Sequence, residues 1–268
     1  MTDIAHSGRV VRAGIRTTAS AERAWEAWAD PDRIVQWFAD EAHGKCEVGA
    51  TLEWVFHRFD VRMAYKVMFV ERGSRIVLGP VSAESPMVLE IQIEEKAGET
   101  VVHVINSGLS DDVADESVVA GIESGWHMAL GILKHYLENY FGKDRRSFVA
   151  FREAEFNFDS ILSYYRDGFK LAKWLTNEGA IIEGKPSVRL VLRDGRPITG
   201  TVLAETPREV AISWEEIDGV LELKSFVQDD RKMVCIRGCG WGLSAEECRV
   251  IEASMEGALD RLVAALLE

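Results

Sequence analysis

The sequence has few cysteines, no long apolar segment and no concentration of basic residues. Its four cysteines, at positions 46, 235, 239 and 248, form no CxxC pair and lie at no zinc-finger spacing from a histidine. Cysteines this sparse do not provide a disulfide scaffold. We therefore expect four reduced thiols that act as packing residues, and no bound metal.

The absence of long apolar segments from the sequence indicates where in the cell the protein is located. The N-terminal residues lack the roughly 7–15 apolar residues of a secretory signal, and no later stretch approaches the ~20 apolar residues of a membrane span. These absences predict a cytoplasmic protein without a membrane span.

The charge balance argues against polyanionic partners. The chain carries 44 acidic and 31 basic residues, a formal net charge of -13, and both halves are acidic. No lysine or arginine cluster offers phosphates a continuous track, which excludes nucleic acid as an expected partner. The hydrophobic fraction of 47% is typical of folded globular domains.

The two halves of the sequence repeat each other in outline. DPDRIVQW at 30–37 has a counterpart in DGFKLAKW at 167–174, and Gly108-Leu109 recurs as Gly242-Leu243. The matches keep their order, which a tandem duplication explains and chance does not. A charged, glycine-containing segment at 141–147 separates the copies. We predict two domains, 1–143 and 148–268.

Each half has the same predicted element order. In the first, a strand at 10–17 precedes a helix capped by Ser20, and Asp30-Pro31 starts a second short helix. Segments with period-two alternation follow at 51–58, 61–71, 75–79, 87–95 and 100–106, so the sheet is an antiparallel meander. Apolar residues then recur at helical spacing on a long terminal helix: Ile122, Trp126, Ala129, Leu130, Leu133 and Leu137.

The second half is more divergent. Strands are predicted at 148–156, 187–193, 198–205, 209–214, 220–227 and 232–237. Ser244 and Glu247 form a capping box before the last helix. That helix has Met255 where the first copy has Trp126. The glycine run at 238–242 has the spacing GxGxG, not the GxGxxG of a dinucleotide site, and follows antiparallel strands. We interpret it as a flexible turn.

Three stretches of the first half resemble a known family. TTASAERAWEAWADPDRIVQWF at 17–38, NSGL at 106–109 and GWHMALGILKHYLE at 125–138 are similar to the START-like, helix-grip superfamily, in particular to the group named after activators of the heat-shock-protein-90 ATPase. The resemblance implies an α+β fold of two tandem helix-grip domains. In each, a curved antiparallel sheet wraps a long C-terminal helix, with two short helices after the first strand.

The resemblance also implies where a site would lie, which is a cavity between sheet and helix. By strand alternation and helical spacing, mainly apolar side chains line it in the first domain: Trp54, Phe56, Met63, Tyr65, Trp126 and Leu130. We predict that this cavity binds a hydrophobic or aromatic small molecule without catalysis. No catalytic set or cofactor is expected. No metal site is expected either, because His127 and His135 lie eight residues apart on the helix with a glycine midway between them.

Two alternatives remain open. One is an enzyme of the cyclase or dehydratase kind, with Tyr65 or His103 transferring a proton. The other is a chaperone regulator that acts through its outer surface on a heat-shock-protein-90 homologue. A chaperone or a second copy of the chain is therefore a further candidate partner.

Overall fold

The computed structural model describes residues 8–81, 87–109, 116–181 and 184–268. The chain divides into two compact units, Met1–Lys143 and Asp144–Glu268. The segment predicted to separate the domains is partly strand, because the first strand of the second unit begins at Arg146. Among the described helices, none is long and apolar enough to cross a membrane.

The first unit is a seven-stranded antiparallel sheet with one long helix. Its sheet has the order β1-β7-β6-β5-β4-β3-β2. The elements are β1 (Arg9–Thr17), α1 (Ala21–Ala29), α2 (Pro31–Ile34), β2 (Glu41–Gly44), β3 (Thr51–Phe56), β4 (Val61–Glu71), β5 (Arg75–Pro80), β6 (Val88–Lys96), β7 (Glu99–Leu109) and α3 (Glu116–Asn139).

The second unit repeats this order. Its sheet runs β8-β14-β13-β12-β11-β10-β9. The elements are β8 (Arg146–Glu153), α4 (Phe158–Arg166), α5 (Gly168–Trp174), β9 (Thr176–Ala180), β10 (Ser187–Leu192), β11 (Pro197–Thr206), β12 (Glu209–Trp214), β13 (Gly219–Gln228), β14 (Arg231–Gly240) and α6 (Ala245–Leu266). The predicted α+β fold of two tandem helix-grip domains is confirmed.

Both units contain a strand that the sequence analysis did not predict. β2 and β9 are the edge strands at one end of each sheet and are mostly exposed. Each contains a glycine with φ near +101°, which is Gly44 in β2 and Gly179 in β9. A Cβ on either glycine would run into the backbone of the neighbouring strand. A Cβ on Gly44 would lie 1.9 Å from the Thr51 carbonyl oxygen. Only glycine fits there without strain.

The glycine run before the last helix was wrongly predicted as a turn. Gly238, Cys239 and Gly240 complete β14, which pairs with β13 on one side and β8 on the other. A Cβ on Gly238 would lie 2.3 Å from Cζ of Phe148, a ring that is buried across the strand pair. The glycines therefore provide space within the sheet.

The last helix begins with the predicted capping box. The Ser244 hydroxyl accepts from the Glu247 amide at 3.2 Å, and the Glu247 carboxylate accepts from the Ser244 amide at 2.8 Å.

We expect Ser244→Ala to lower the free energy of unfolding by about 1 kcal/mol, because the Glu247 amide loses the hydroxyl that accepts its hydrogen bond. Urea unfolding measures the change. Glu247→Gln keeps an acceptor at the same position and should cost clearly less than Ser244→Ala. Equal losses from the two variants would contradict this account of the cap.

Candidate functional site

The two short helices of the first unit set the positions of several rings. The Ser20 hydroxyl caps α1, and the Asp30 carboxylate caps α2 with Pro31 in its first turn. Asp30, in an extended conformation, is the one residue between α1 and α2. The Trp37 indole donates to the Ala27 carbonyl at 2.9 Å and lies against Trp28.

Seven rings meet between the sheet and α3, and we name them the aromatic cluster. Trp28 is at its centre, with ring centroids 4.9 Å from Trp37 and 6.1 Å from Trp126. Phe38 lies 5.4 Å from Trp54 and stacks on Trp126 at 6.0 Å. The members are Trp28, Trp37, Phe38, Trp54, Phe56, Tyr65 and Trp126.

Four of the six residues predicted to line the cavity belong to this cluster. Of the other two, Met63 pairs with Trp54 in the β3–β4 ladder and so shares its sheet face. Leu130 is fully buried on α3, one turn after Trp126.

The sequence analysis left out Trp28, Trp37 and Phe38. Trp25 and Trp28 lie three residues apart on α1, and this helical spacing is the signal that could have indicated their buried face. The prediction considered only sheet and long helix as walls, however, so the contribution of the α1–α2 segment was missed.

Two indole groups in the cluster are buried and find no hydrogen-bond partner within the described ranges. Trp126 donates from Nε1 to Oδ1 of Asn106 at 3.3 Å. By contrast, Nε1 of Trp28 and Nε1 of Trp54 have no partner among the described residues, although these side chains are only 1% and 0% exposed. A buried indole N–H usually has a partner, so two exceptions in one cluster need an explanation.

The second unit does not share this feature. Trp174 donates to the Tyr164 carbonyl and Trp214 to the Pro197 carbonyl, each at 3.0 Å. Met255 is buried in the core that also contains Phe148 and Trp214. The unpartnered donors of the aromatic cluster are thus not a general property of the fold.

Tyr65 is the ionisable group of the cluster. Burial raises the pKa of its phenol to about 12, so the hydroxyl is neutral at physiological pH. Within the described residues this hydroxyl has no hydrogen-bond partner. It is available to donate its proton in a hydrogen bond, and it is a poor general base.

The candidate histidines do not join the cluster. His103 and Asn106 lie three positions apart on β7, so their side chains point to opposite faces of the sheet. The His103 ring lies 3.6 Å from Glu94. Its suggested role in proton transfer inside the cavity was wrong. His57 follows β3, is exposed and contacts Glu41 at 2.8 Å. The described residues contain no group of three or more histidine, cysteine or acidic side chains that is arranged to hold a metal ion.

Comparison with known proteins identifies the first unit. The family model described as "Activator of Hsp90 ATPase homolog 1-like protein" matches residues 18–138. No curated protein sequence matches the chain.

Three solved structures are similar in outline. DynU16, a protein of the dynemicin biosynthetic locus, is 17% identical with a TM-score of 0.43, and the match covers 96% of this chain and 97% of that one. The di-domain ARO/CYC BexL from the BE-7585A biosynthetic pathway is 11% identical with a TM-score of 0.44, covering 97% and 99%. The Aha1 dimer from Colwellia psychrerythraea is 21% identical with a TM-score of 0.44, covering 49% and 97%.

These TM-scores are too low for the three structures to inform on activity or ligand. The family match covers the α1–α2 segment, the sheet and α3, which together hold the aromatic cluster. The chain is a tandem of two START-like, helix-grip domains, and its first unit matches the family of activator of Hsp90 ATPase homolog 1-like proteins over residues 18–138.

Proposed function

We propose that the first unit binds a hydrophobic or aromatic small molecule between its sheet and α3, without catalysis. The proposed lining residues are Trp54, Phe56, Met63, Tyr65, Trp126 and Leu130. An apolar site with a few polar groups suits such a ligand, because large rings supply most of the contact area and the polar groups fix its orientation.

The observation that carries this proposal is the pair of unpartnered indole donors. Leaving a buried N–H without an acceptor costs about 1–3 kcal/mol. Trp28 and Trp54 each carry this cost in the part of the chain that the structure describes. A ligand with an acceptor oxygen would recover it on binding, and the neutral Tyr65 hydroxyl offers a third donor. We therefore infer a ligand with an apolar skeleton and at least one carbonyl or hydroxyl oxygen.

A matched pair of probes tests the acceptor. 1-Tetralone and tetralin share a bicyclic skeleton and differ in one carbonyl, and quenching of tryptophan fluorescence reports their binding. We expect tetralone to bind about tenfold more tightly, since one hydrogen bond to a ligand oxygen contributes about 1 kcal/mol or slightly more. Equal affinities, or no saturable binding of either probe, would contradict the proposal.

Trp54→Phe refines the same measurement, because it removes the N–H and keeps an aromatic ring. The preference for tetralone over tetralin should shrink, while tetralin affinity changes little. Trp174→Phe is the matched control in the second unit, where the indole donates to a carbonyl, and it should leave both affinities unchanged.

A natural ligand is best sought by native mass spectrometry of the purified chain. A discrete extra mass, absent from the denatured spectrum and lost in Leu130→Trp, would support the proposal and give the ligand class. The same spectrum reports whether two copies associate.

The second candidate function is regulation of a chaperone, and the family match favours it. It requires a stoichiometric complex with a heat-shock-protein-90 homologue and a raised ATPase rate. Absence of a complex at micromolar concentration would exclude this function. Trp54→Phe separates the two candidates, because it changes the buried cluster and should leave a surface complex intact.

We also propose that the protein acts in the cytoplasm. The four cysteines are free thiols in the structure, which fits a reducing compartment. The cellular compartment in which the tagged full chain is found tests this proposal.

A further inference from the structure

The aromatic cluster has a rim and a sealed interior. Phe38, Phe56 and Tyr65 are half-buried, whereas Trp28 and Trp54 are only 1% and 0% exposed. The indole N–H groups of Trp28 and Trp54 therefore lie in the interior, where solvent does not reach them. A ligand oxygen can contact these two donors only if part of the wall moves first.

The α1–α2 segment, residues 20–39, is the wall best placed to move. Its two ends are anchored. At the start, the Thr100 hydroxyl donates to the Ala19 carbonyl at 2.7 Å, and at the end, the Asp40 amide donates to the Val55 carbonyl at 2.9 Å. By contrast, β3 and β4 are each paired with a strand on both sides. A segment that is fixed at its ends can swing outward between them while the sheet stays in place.

A buried hydrogen bond ties this segment to α3 between the two anchors. The Tyr136 hydroxyl donates to Oε1 of Gln36 at 2.6 Å, and Gln36 directly precedes Trp37 of the cluster. Nη1 of Arg33 donates to the same Gln36 oxygen, and the Gly142 amide donates to the Tyr136 oxygen, each at 3.3 Å. Burial raises the pKa of the Tyr136 phenol, so the hydroxyl keeps its proton and remains a donor. We name the Tyr136–Gln36 hydrogen bond the latch.

Neither latch residue recurs in the second unit. In the alignment of the two halves, Gln36 corresponds to Lys173 and Tyr136 corresponds to Ala265. The alanine side chain cannot donate a hydrogen bond, and Lys173 pairs with Glu268 at 2.6 Å. The latch therefore occurs in the unit that also has the unpartnered indole donors.

We propose that the latch holds the α1–α2 segment closed over the aromatic cluster, and that its opening admits the ligand to the interior donors. The proposal rests on the function proposed for the cluster. A ligand that binds through a minor open state associates slowly, in proportion to the fraction of molecules that are open. Tyr136 and Gln36 are then positioning residues, which set the rate of entry and do not touch the ligand.

Hydrogen exchange of the full chain without ligand tests the latch itself. Tyr136→Phe keeps the buried ring and removes only the hydroxyl. Exchange in peptides of residues 21–39 should become about fivefold faster, the factor that corresponds to the net contribution of one hydrogen bond. Peptides of β3 and β4 should be unchanged. If residues 21–39 exchange as before, or if β3 and β4 accelerate equally, the latch is overturned.

Tyr165→Phe is the matched control for this substitution. It removes a buried phenol that donates to the Lys224 carbonyl at 3.0 Å in the second unit. Exchange in residues 21–39 should not change in this variant. An equal acceleration there would show that loss of any buried phenol has the effect, and it would contradict the latch.

Stopped-flow mixing with 1-tetralone, followed by tryptophan fluorescence, tests the role of the latch in ligand entry. Association should be about fivefold faster in Tyr136→Phe and in Gln36→Leu. The double variant should associate no faster than either single variant, because both changes remove the same bond. A variant that merely damages the site would bind more weakly without binding faster.

The two proposals fail in different ways in this measurement. Unchanged or slower association in Tyr136→Phe, with tetralone still bound, would overturn the role of the latch and leave the function proposed for the cluster intact. No saturable binding of tetralone to the unmodified chain would overturn both.

Discussion

Replacing Trp28 with alanine is expected to lower the free energy of unfolding of the first unit by about 3–5 kcal/mol. The side chain is 1% exposed. Its ring lies 4.9 Å from Trp37 and 6.1–6.2 Å from Phe38, Trp54 and Trp126. Truncation therefore leaves a large cavity in the middle of the cluster and removes four ring contacts. No hydrogen bond is lost, since the Trp28 N–H has no partner among the described residues.

Urea unfolding measures the loss, and hydrogen exchange read by mass spectrometry locates it. Peptides of α1, β3 and α3 should lose protection, while those of α6 should not. Trp28→Phe should cost much less, because it keeps a ring at this position. Phe169→Ala is the control for removal of an aromatic ring, since Phe169 is 89% exposed. A loss of about 1 kcal/mol or less in Trp28→Ala would show that the cluster collapses around the gap.

Replacing Gly238 with alanine should destabilise the second unit by about 3 kcal/mol. The new Cβ would lie 2.3 Å from the Phe148 ring and 2.6 Å from the Val220 carbonyl oxygen. Neither group is free to move, because Phe148 is buried and β13 is paired on both sides. The substitution must therefore separate β14 from a neighbouring strand or displace a core ring.

The same substitution in α6 should have the opposite sign. Gly257 is in the interior of that helix, and the contact that its added Cβ would make is an ordinary one at 3.5 Å, with Arg261. Gly257→Ala should stabilise by about 0.5–1 kcal/mol, because glycine costs that much in a helix interior. Urea midpoints of the two variants provide the comparison. A Gly238→Ala protein as stable as Gly257→Ala would mean that the glycine run is not under steric constraint.

The missed edge strands show a limit of pattern reading. β2 is only four residues long and largely polar, and β9 is similar, with mostly exposed residues. Neither sequence alternates between apolar and polar residues, because a strand exposed on both faces has no side that must be apolar to pack against the core. Each is a strand because β3 or β10 offers it hydrogen-bonding groups, and that partner is known only from the fold.

The glycine run shows a related limit. Three glycines in five residues are typical of a turn. In the fold, Gly238 instead faces the ring of Phe148, which is 90 positions away along the chain. The conformational freedom of glycine suggested a bend, whereas its missing side chain was the property that mattered.

The sequence by itself determined the elements whose signals are local. The caps at Ser20, Asp30 and Ser244 are hydrogen bonds within one helical turn, and the apolar stripe of α3 is a matter of helical spacing. Repetition of these local signals also indicated the two tandem copies and their shared element order.

Tertiary structure alone decided what lies in and around the proposed site. The α1–α2 segment adds Trp28, Trp37 and Phe38 to the cluster. The hydrogen bond from Trp126 to Asn106 shows which face of β7 meets the cluster, and His103 lies on the other face. Whether a buried indole has an acceptor depends on atoms from distant segments meeting at about 3 Å. No spacing rule contains that distance, so the unpartnered donors of Trp28 and Trp54 emerged only when the segments were packed together.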